Sequence, residues 1–169
     1  MRGDEEAFSS LVESYHPKIF RLVRGIVGDW HHSEDICQDI FLIIYRKLRG
    51  FRFGSTLSTW VYRVALNASL KARKKKRKWL TESPDALLHV ASPEDRRNAR
   101  LEGNEVLRKL LSPLPEKLRT AVVLREQVGL SYDEMSEVLG CSRGAVEQRL
   151  HRAMVLLRQV WKGTDWLER

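Results

Sequence analysis

The sequence predicts an all-α protein made of two small helical domains joined by a flexible linker. Three observations support this. Apolar residues recur at helical spacing along most of the chain. No run shows the alternating, β-branched pattern of a strand bounded by turn pairs. One turn-rich stretch, containing Thr81-Glu-Ser-Pro and Ala91-Ser-Pro-Glu-Asp, lacks periodic apolar residues and reads as a tether. The expected division is a first domain over 1–80, a linker over 81–104, a second domain over 105–163 and a tail over 164–169. Each domain is near the lower size limit for an independent core, so docking onto a larger partner would be no surprise.

The elements follow in order. Ala7, Phe8, Leu11, Val12 and Tyr15 form the apolar face of a helix from Asp4 to about Tyr15. Pro17 can open a second helix carrying Ile19, Phe20, Val23, Ile26 and Val27, which Gly28-Asp29 stops. Ser33 is placed to cap a long helix ending near Leu48. Its core face is Ile36, Ile40, Ile43 and Ile44. A second face collects Asp35, Gln38, Asp39 and Leu42 at i, i+3, i+4 and i+7. Acids in a first helical turn are stabilised by the helix dipole, which accounts for Glu34 and Asp35 but less well for Asp39. A leucine among polar residues suggests docking instead, and both readings stay open at this level.

After a loop over 51–56, a helix starting near Ser58 runs into the basic stretch 71–78. Trp60, Val61, Val64, Ala65 and Ala68 supply its apolar side. Arg63, Asn67, Lys71, Lys74 or Lys75, and Lys78 line another side. A basic stripe on a rigid helix, entered by Phe51, Phe53 and Trp60, suits a phosphate backbone and unstacked bases. The amide of Asn67 can pair with a base edge. Without further context, residues 71–78 read equally as a solvated or disordered tail, or as a membrane-surface patch. Helical pattern resumes at Val106 and Leu107. Pro113 and Pro115 break it and open a helix with Leu118, Ala121, Val122 and Leu124.

Residues 131–152 read as a helix-turn-helix. Ser131 and Glu134 form a capping box. Met135, Val138 and Leu139 share one buried face, and Gly140 provides a left-handed stop. Ser142 caps the second helix, whose stripe is Val146, Leu150, Ala153 and Leu157. Arg143, Glu147, Gln148, His151 and Arg152 lie opposite. A plain helical hairpin has the same local signals.

Charge points the same way: 30 Lys and Arg against 22 Asp and Glu give a net +8, which favours a polyanionic partner. No apolar run approaches the roughly 18 residues that span a bilayer, and the acidic N-terminus is unlike a signal peptide. Cys37 and Cys141 are expected to be reduced thiols in a cytoplasmic protein. His31, His32 and Cys37 have no fourth ligand at a familiar spacing, so no metal is expected. No nucleophile–base pair or phosphate loop is apparent, so neither an enzyme activity nor a cofactor or small-molecule substrate is expected.

The ordered set of motifs closely resembles the extracytoplasmic-function sigma factors, the compact group of the bacterial sigma-70 family. It comprises Asp35 to Phe41 (Asp-Ile-Cys-Gln-Asp-Ile-Phe), Phe51 to Asn67, Leu114-Pro-Glu-Lys-Leu-Arg119, and Leu130-Ser-Tyr-Asp-Glu-Met with the second helix. The resemblance covers almost the whole chain. It implies a sigma-2-like bundle followed by a sigma-4-like helix-turn-helix, with no counterpart of the middle domain of larger sigma factors. By it, Asp35, Gln38, Asp39 and Phe41 match the segment that binds the clamp helices of core RNA polymerase. Phe51, Phe53, Gly54, Ser55 and Thr56 match the loop that holds a flipped-out base of the minus-ten element, and Asn67 a position that contacts it. Trp60, Arg63, Lys71, Lys74, Lys75 and Lys78 complete the expected minus-ten surface. Ser142, Arg143, Glu147, Gln148, Arg149, His151 and Arg152 match the helix that enters the major groove at the minus-35 element. Position 147 departs from the family, where a basic residue is frequent; a glutamate there can accept from a cytosine amino group. The implied partners are core RNA polymerase, promoter DNA and a cognate anti-sigma factor, with no membrane insertion and a monomeric free state. A stand-alone dimeric helix-turn-helix regulator and a purely sequestering module are the alternatives. The first leaves the 35–41 segment and the aromatic loop unexplained, and the second leaves both basic surfaces unexplained.

Overall fold

The computed structural model describes residues 2–28, 30–82 and 109–162, all in helices and short connections. The expected linker beyond residue 82, the resumption at Val106 and Leu107, and the tail over 164–169 lie outside the described residues. The first half is a three-helix bundle of α1 (Arg2–Val27), α2 (Trp30–Leu48) and α3 (Leu57–Glu82).

Helix α1 is continuous, with Pro17 inside it, where the sequence suggested two helices. An internal proline lacks a donor and crowds the preceding turn, at about 3 kcal/mol. The apolar stripe nevertheless continues across Pro17 without a change of phase. Phe8, Leu11, Val12 and Tyr15 pack against the core, and Ile19, Leu22, Val23 and Ile26 are buried in it. Burying one unbroken stripe outweighs the local defect. The Pro17 carbonyl accepts from Arg21 Nε at 3.1 Å.

Helix α2 starts three residues before Ser33, which is buried inside the first turn rather than capping it. The start is set upstream, so Glu34 and Asp35 stand beyond the first turn, where dipole stabilisation falls off. Helix α3 is capped by Thr56, whose hydroxyl accepts from the Thr59 N–H at 3.1 Å. It runs without interruption through residues 71–78, so the basic run is helical rather than a loose tail. Tyr62 is buried at the centre of the bundle, edge-on to Tyr15 at 5.8 Å, and burial pushes its phenol up to about 12.

The second half opens with a helical turn at residues 109–111. Helix α4 (Glu116–Val122) follows and widens into a π-helical turn (Val123–Val128) that Gly129 ends at φ 83°. Buried Arg119 ties this half together. It donates from Nε to the Leu111 carbonyl at 2.9 Å, and from Nη2 to those of Ser112 and Leu114 at 2.9 and 2.8 Å. Helices α5 (Tyr132–Leu139) and α6 (Arg143–Lys162) complete it. The capping box forms as expected: Ser131 N–H donates to Glu134 Oε2 at 2.7 Å, and Glu134 N–H donates to Ser131 Oγ at 3.2 Å. The Ser131 backbone and hydroxyl donors hold the Glu134 carboxyl below its ordinary range. Its contribution is therefore present above about pH 4.3 and is lost as the pH falls through the lowered value.

The halves are not held apart. Helix α1 packs against α4 and its π-helical turn, and α3 packs against α5. A Cβ on Gly25 would lie 2.7 and 2.8 Å from the two Val123 methyls, so the absence of a side chain there lets the helices approach. Two small cores gain burial by sharing a boundary.

Burial, then the neighbouring Glu34, raises the Cys37 thiol to about 12, while Cys141 is only partly buried. At pH 8 a thiol-specific disulfide reagent should titrate Cys141 readily and reach Cys37 only after denaturation. Because an unfolded thiol ionises near pH 8.5, folding stability should fall above about that pH.

Candidate nucleic-acid interface

Local signals build the helix-turn-helix. Gly140 ends α5 at φ 61°, and Ser142 Oγ accepts from the Ala145 N–H at 3.2 Å to start α6. Val146 and Ala153 face the core, with Leu150 and Leu157 packed beside them. Arg143, Glu147, Gln148, His151 and Arg152 are exposed on the other side, as is Ser142, whereas Arg149 is half-buried. Arg143 Nη1 donates to Asp133 Oδ1 and Oδ2 at 3.2 and 3.3 Å, and its Nε donates to Glu147 Oε1 at 3.1 Å. The Glu147 carboxylate, expected to face a base, thus accepts from its neighbour in this structure. The Glu147 and Asp133 partners raise the Arg143 guanidinium above its ordinary value.

On α3, Arg63, Asn67, Lys71, Lys74, Lys75 and Lys78 are all exposed along the side opposite the core. Lys78 also lies 3.9 Å from Glu82. The loop over 51–56 packs Phe51 between Phe53 at 4.9 Å and Trp60 at 5.3 Å. Phe53 is 84% exposed and sits at φ 54°, a left-handed conformation that costs a bulky residue energy. Gly54 is open, Ser55 Oγ donates to the Thr56 carbonyl at 3.3 Å, and Thr56 serves as the helix cap.

On α2, Asp35, Gln38 and Asp39 are exposed together, with Leu42 at 51%. Tyr45, 50% exposed and one turn beyond Leu42, extends that face; its spacing was available in the sequence. Phe41 is set apart from them. It is only 7% exposed and stacks on His16 at 6.0 Å, so it supports α2 from inside.

One junction has no sequence signal. Glu137, on α5, accepts at Oε2 from the Thr59 hydroxyl at 2.8 Å, and its carbonyl accepts from Arg63 Nε at 2.9 Å and from Arg63 Nη2. The helix-turn-helix thereby occupies one end of the basic face of α3. Among the described residues, no group of three His, Cys, Asp or Glu could hold a metal ion, and no helix is long and apolar enough to cross a membrane.

A family profile described as Sigma-70 region 2 matches residues 11–79, and one described as Sigma-70, region 4 matches residues 104–157. The RNA polymerase sigma-H factor of Pseudomonas aeruginosa is 37% identical over 164 residues, covering 90% of this chain and 84% of that protein. The chain belongs to the sigma-70 family. The ECF RNA polymerase sigma factor SigW of Bacillus subtilis is 33% identical over 170 residues, covering 94% of this chain and 90% of that protein. Among solved structures, CnrH in complex with the cytosolic domain of CnrY superposes with a TM-score of 0.73 and 25% identity, covering 95% of this chain and 91% of that one. The protein is therefore an extracytoplasmic-function sigma factor, a promoter-specificity subunit that works with core RNA polymerase on promoter DNA.

In this sigma factor, Gly25→Leu should wedge α1 from Val123, and Glu137→Ala should remove the acceptor of Thr59. Combining them should raise the radius of gyration measured by small-angle scattering while far-UV circular dichroism keeps its helical amplitude. An unchanged radius would show that other contacts hold the halves together.

Proposed function

We propose that this sigma factor docks on core polymerase through the exposed face of α2, built from Asp35, Gln38, Asp39, Leu42 and Tyr45. It lays the outer face of α3 and the aromatic loop on the minus-ten element and inserts the start of α6 into the major groove at minus-35. The observation that carries this reading is the single exposed face of Arg63, Asn67, Lys71, Lys74, Lys75 and Lys78 beside the Phe51–Phe53–Trp60 cluster. Positive charge on a rigid helix tracks phosphates, and exposed rings accept unstacked bases. The position of Asp35 and Asp39 beyond the first turn of α2 supports docking over helix stabilisation.

The minus-ten and minus-35 elements lie roughly 25 base pairs, or about 85 Å, apart along B-form DNA. With Arg63 hydrogen-bonded to Glu137, the two reading surfaces are adjacent. Occupying both elements therefore requires the halves to part, and the polymerase face of α2 is exposed before that happens. The chain contributes no chemistry of its own; it acts in the cytoplasm, as a monomer before it joins the enzyme. An anti-sigma factor covering these faces would hold it inactive. CnrH, solved with the cytosolic domain of CnrY, has the same fold.

Reconstitution with core polymerase tests this directly: promoter-dependent transcripts should appear only when the chain is added. Binding to a palindrome as a dimer without polymerase would instead indicate a stand-alone regulator. Asp35→Arg combined with Asp39→Arg should weaken association with core enzyme at least about tenfold, as like charge does at an interface. Stability should change by about 0.5 kcal/mol or less, because both positions are exposed. Replacing Lys74, Lys75 and Lys78 by glutamine should lower DNA affinity on all sequences alike. It should also reduce the slope of log K against log salt by about 2 to 3.

A further inference from the structure

Arg143 is the first residue of α6, the end of a reader helix that meets base edges. Long cationic side chains at such positions ordinarily sample many rotamers. Here the guanidinium is held from three directions, by partners on two helices. Asp133 on α5 takes Nη1 at 3.2 and 3.3 Å, and Glu147 one turn along α6 takes Nε at 3.1 Å. The Tyr132 ring lies 5.8 Å from its central carbon. That ring is itself fixed by Arg125 at 5.1 Å, and Arg125 Nη1 donates to the Leu130 carbonyl at 2.9 Å. Arg143, Asp133 and Glu147 are all exposed, and exposed ion pairs add little to stability. Their effect is on geometry and charge. Two carboxylates around one guanidinium leave a local charge of −1, unsuited to clamping a phosphate. With Nε bonded to Glu147 and Nη1 to Asp133, Nη2 makes no hydrogen bond to either acid and is left to donate to an acceptor such as O6 or N7 of guanine.

We propose that Asp133 is a positioning residue for promoter reading: together with Glu147 it orients Arg143 to recognise one guanine of the minus-35 element. The inference rests on the promoter-reading role above. It gives Glu147 an indirect task, through Arg143, in place of a contact to cytosine.

Holoenzyme assembled from core polymerase and the full chain would be used to select duplexes randomised across the minus-35 element. Wild type should enrich guanine at one position. Asp133→Ala should lower that single preference about tenfold, leaving other positions, the salt slope and the thermal midpoint unchanged. Asp133→Asn keeps an acceptor for Nη1 and should retain much of the preference. Added to Arg143→Ala, Asp133→Ala should have no further effect, since a residue acting only through another is silent without it. An equal gain in affinity on every duplex for the Ala and Asn variants would overturn the proposal and make Asp133 a repulsive charge. An unaltered base profile in Asp133→Ala would overturn it as well. If wild-type holoenzyme enriches no sequence at all, the sigma reading itself fails, independently of Asp133.

Discussion

The arrangement of the whole molecule depends on how closely α1 can approach the π-helical turn. At Gly25 there is no side chain, and the Val123 methyls fill the space a Cβ would take. Val123 and Leu124, the first residues of that turn, are fully buried where it packs against α1. With α4 seated there, α5 arrives over α3 and Glu137 meets Thr59 and Arg63. The polar contacts of Glu137 with Thr59 and Arg63 are part-buried or exposed. Most of the holding energy comes from apolar burial, because a hydrogen bond that replaces one to water adds only about 1 kcal/mol.

Charge is unevenly divided between the helices, with the exposed basic pair Arg46 and Lys47 confined to the last turn of α2. The exposed acids of α2 and the exposed cations of α3 occupy separate faces of one small bundle. A protein with a net charge of +8 would otherwise be drawn indiscriminately to nucleic acid, so an acidic face marks out a surface that DNA avoids. Partition of this kind lets one bundle contact a protein and a polyanion at once without the two competing for the same residues.

Much of this was legible in the sequence wherever the determinant was local. The Ser131 and Glu134 box, the Gly140 stop and the Ser142 cap involve residues within a few positions of one another, and each occurs where its chemistry places it. The exposed faces of α2 and α3 followed from helical spacing alone. Pro17 is a helix breaker by local chemistry alone, but the apolar stripe that keeps phase through it is a longer-range determinant and prevails. Ser33, a serine followed by acids, has the local signature of a cap, yet the helix starts upstream of it at Trp30. Phe41, part of the polymerase motif by resemblance, is a core residue here. The junction at Glu137 has no sequence signal because it joins the side chains of Arg63 and Thr59 to the carbonyl and carboxylate of a residue 74 and 78 positions away, with no periodicity to announce it. The orienting role argued for Asp133 likewise needs the angle between α5 and α6, which spacing does not encode.

A continuous line of hydroxyls links the aromatic loop to the helix-turn-helix. Thr56 donates to Thr59 at 2.9 Å, and Thr59 donates to Glu137 at 2.8 Å. Thr56 also caps α3, so the loop's anchor and the junction between the halves share one proton-donor chain. Linkage makes such sharing reciprocal: whatever alters the loop's preference for one arrangement is altered by that arrangement to the same degree. When Glu137 withdraws, water can replace it as the acceptor of the Thr59 hydroxyl, while the Thr56 cap stays in place. A movement of the loop that displaces Thr56 is thus felt, two hydrogen bonds away, at the contact between the halves.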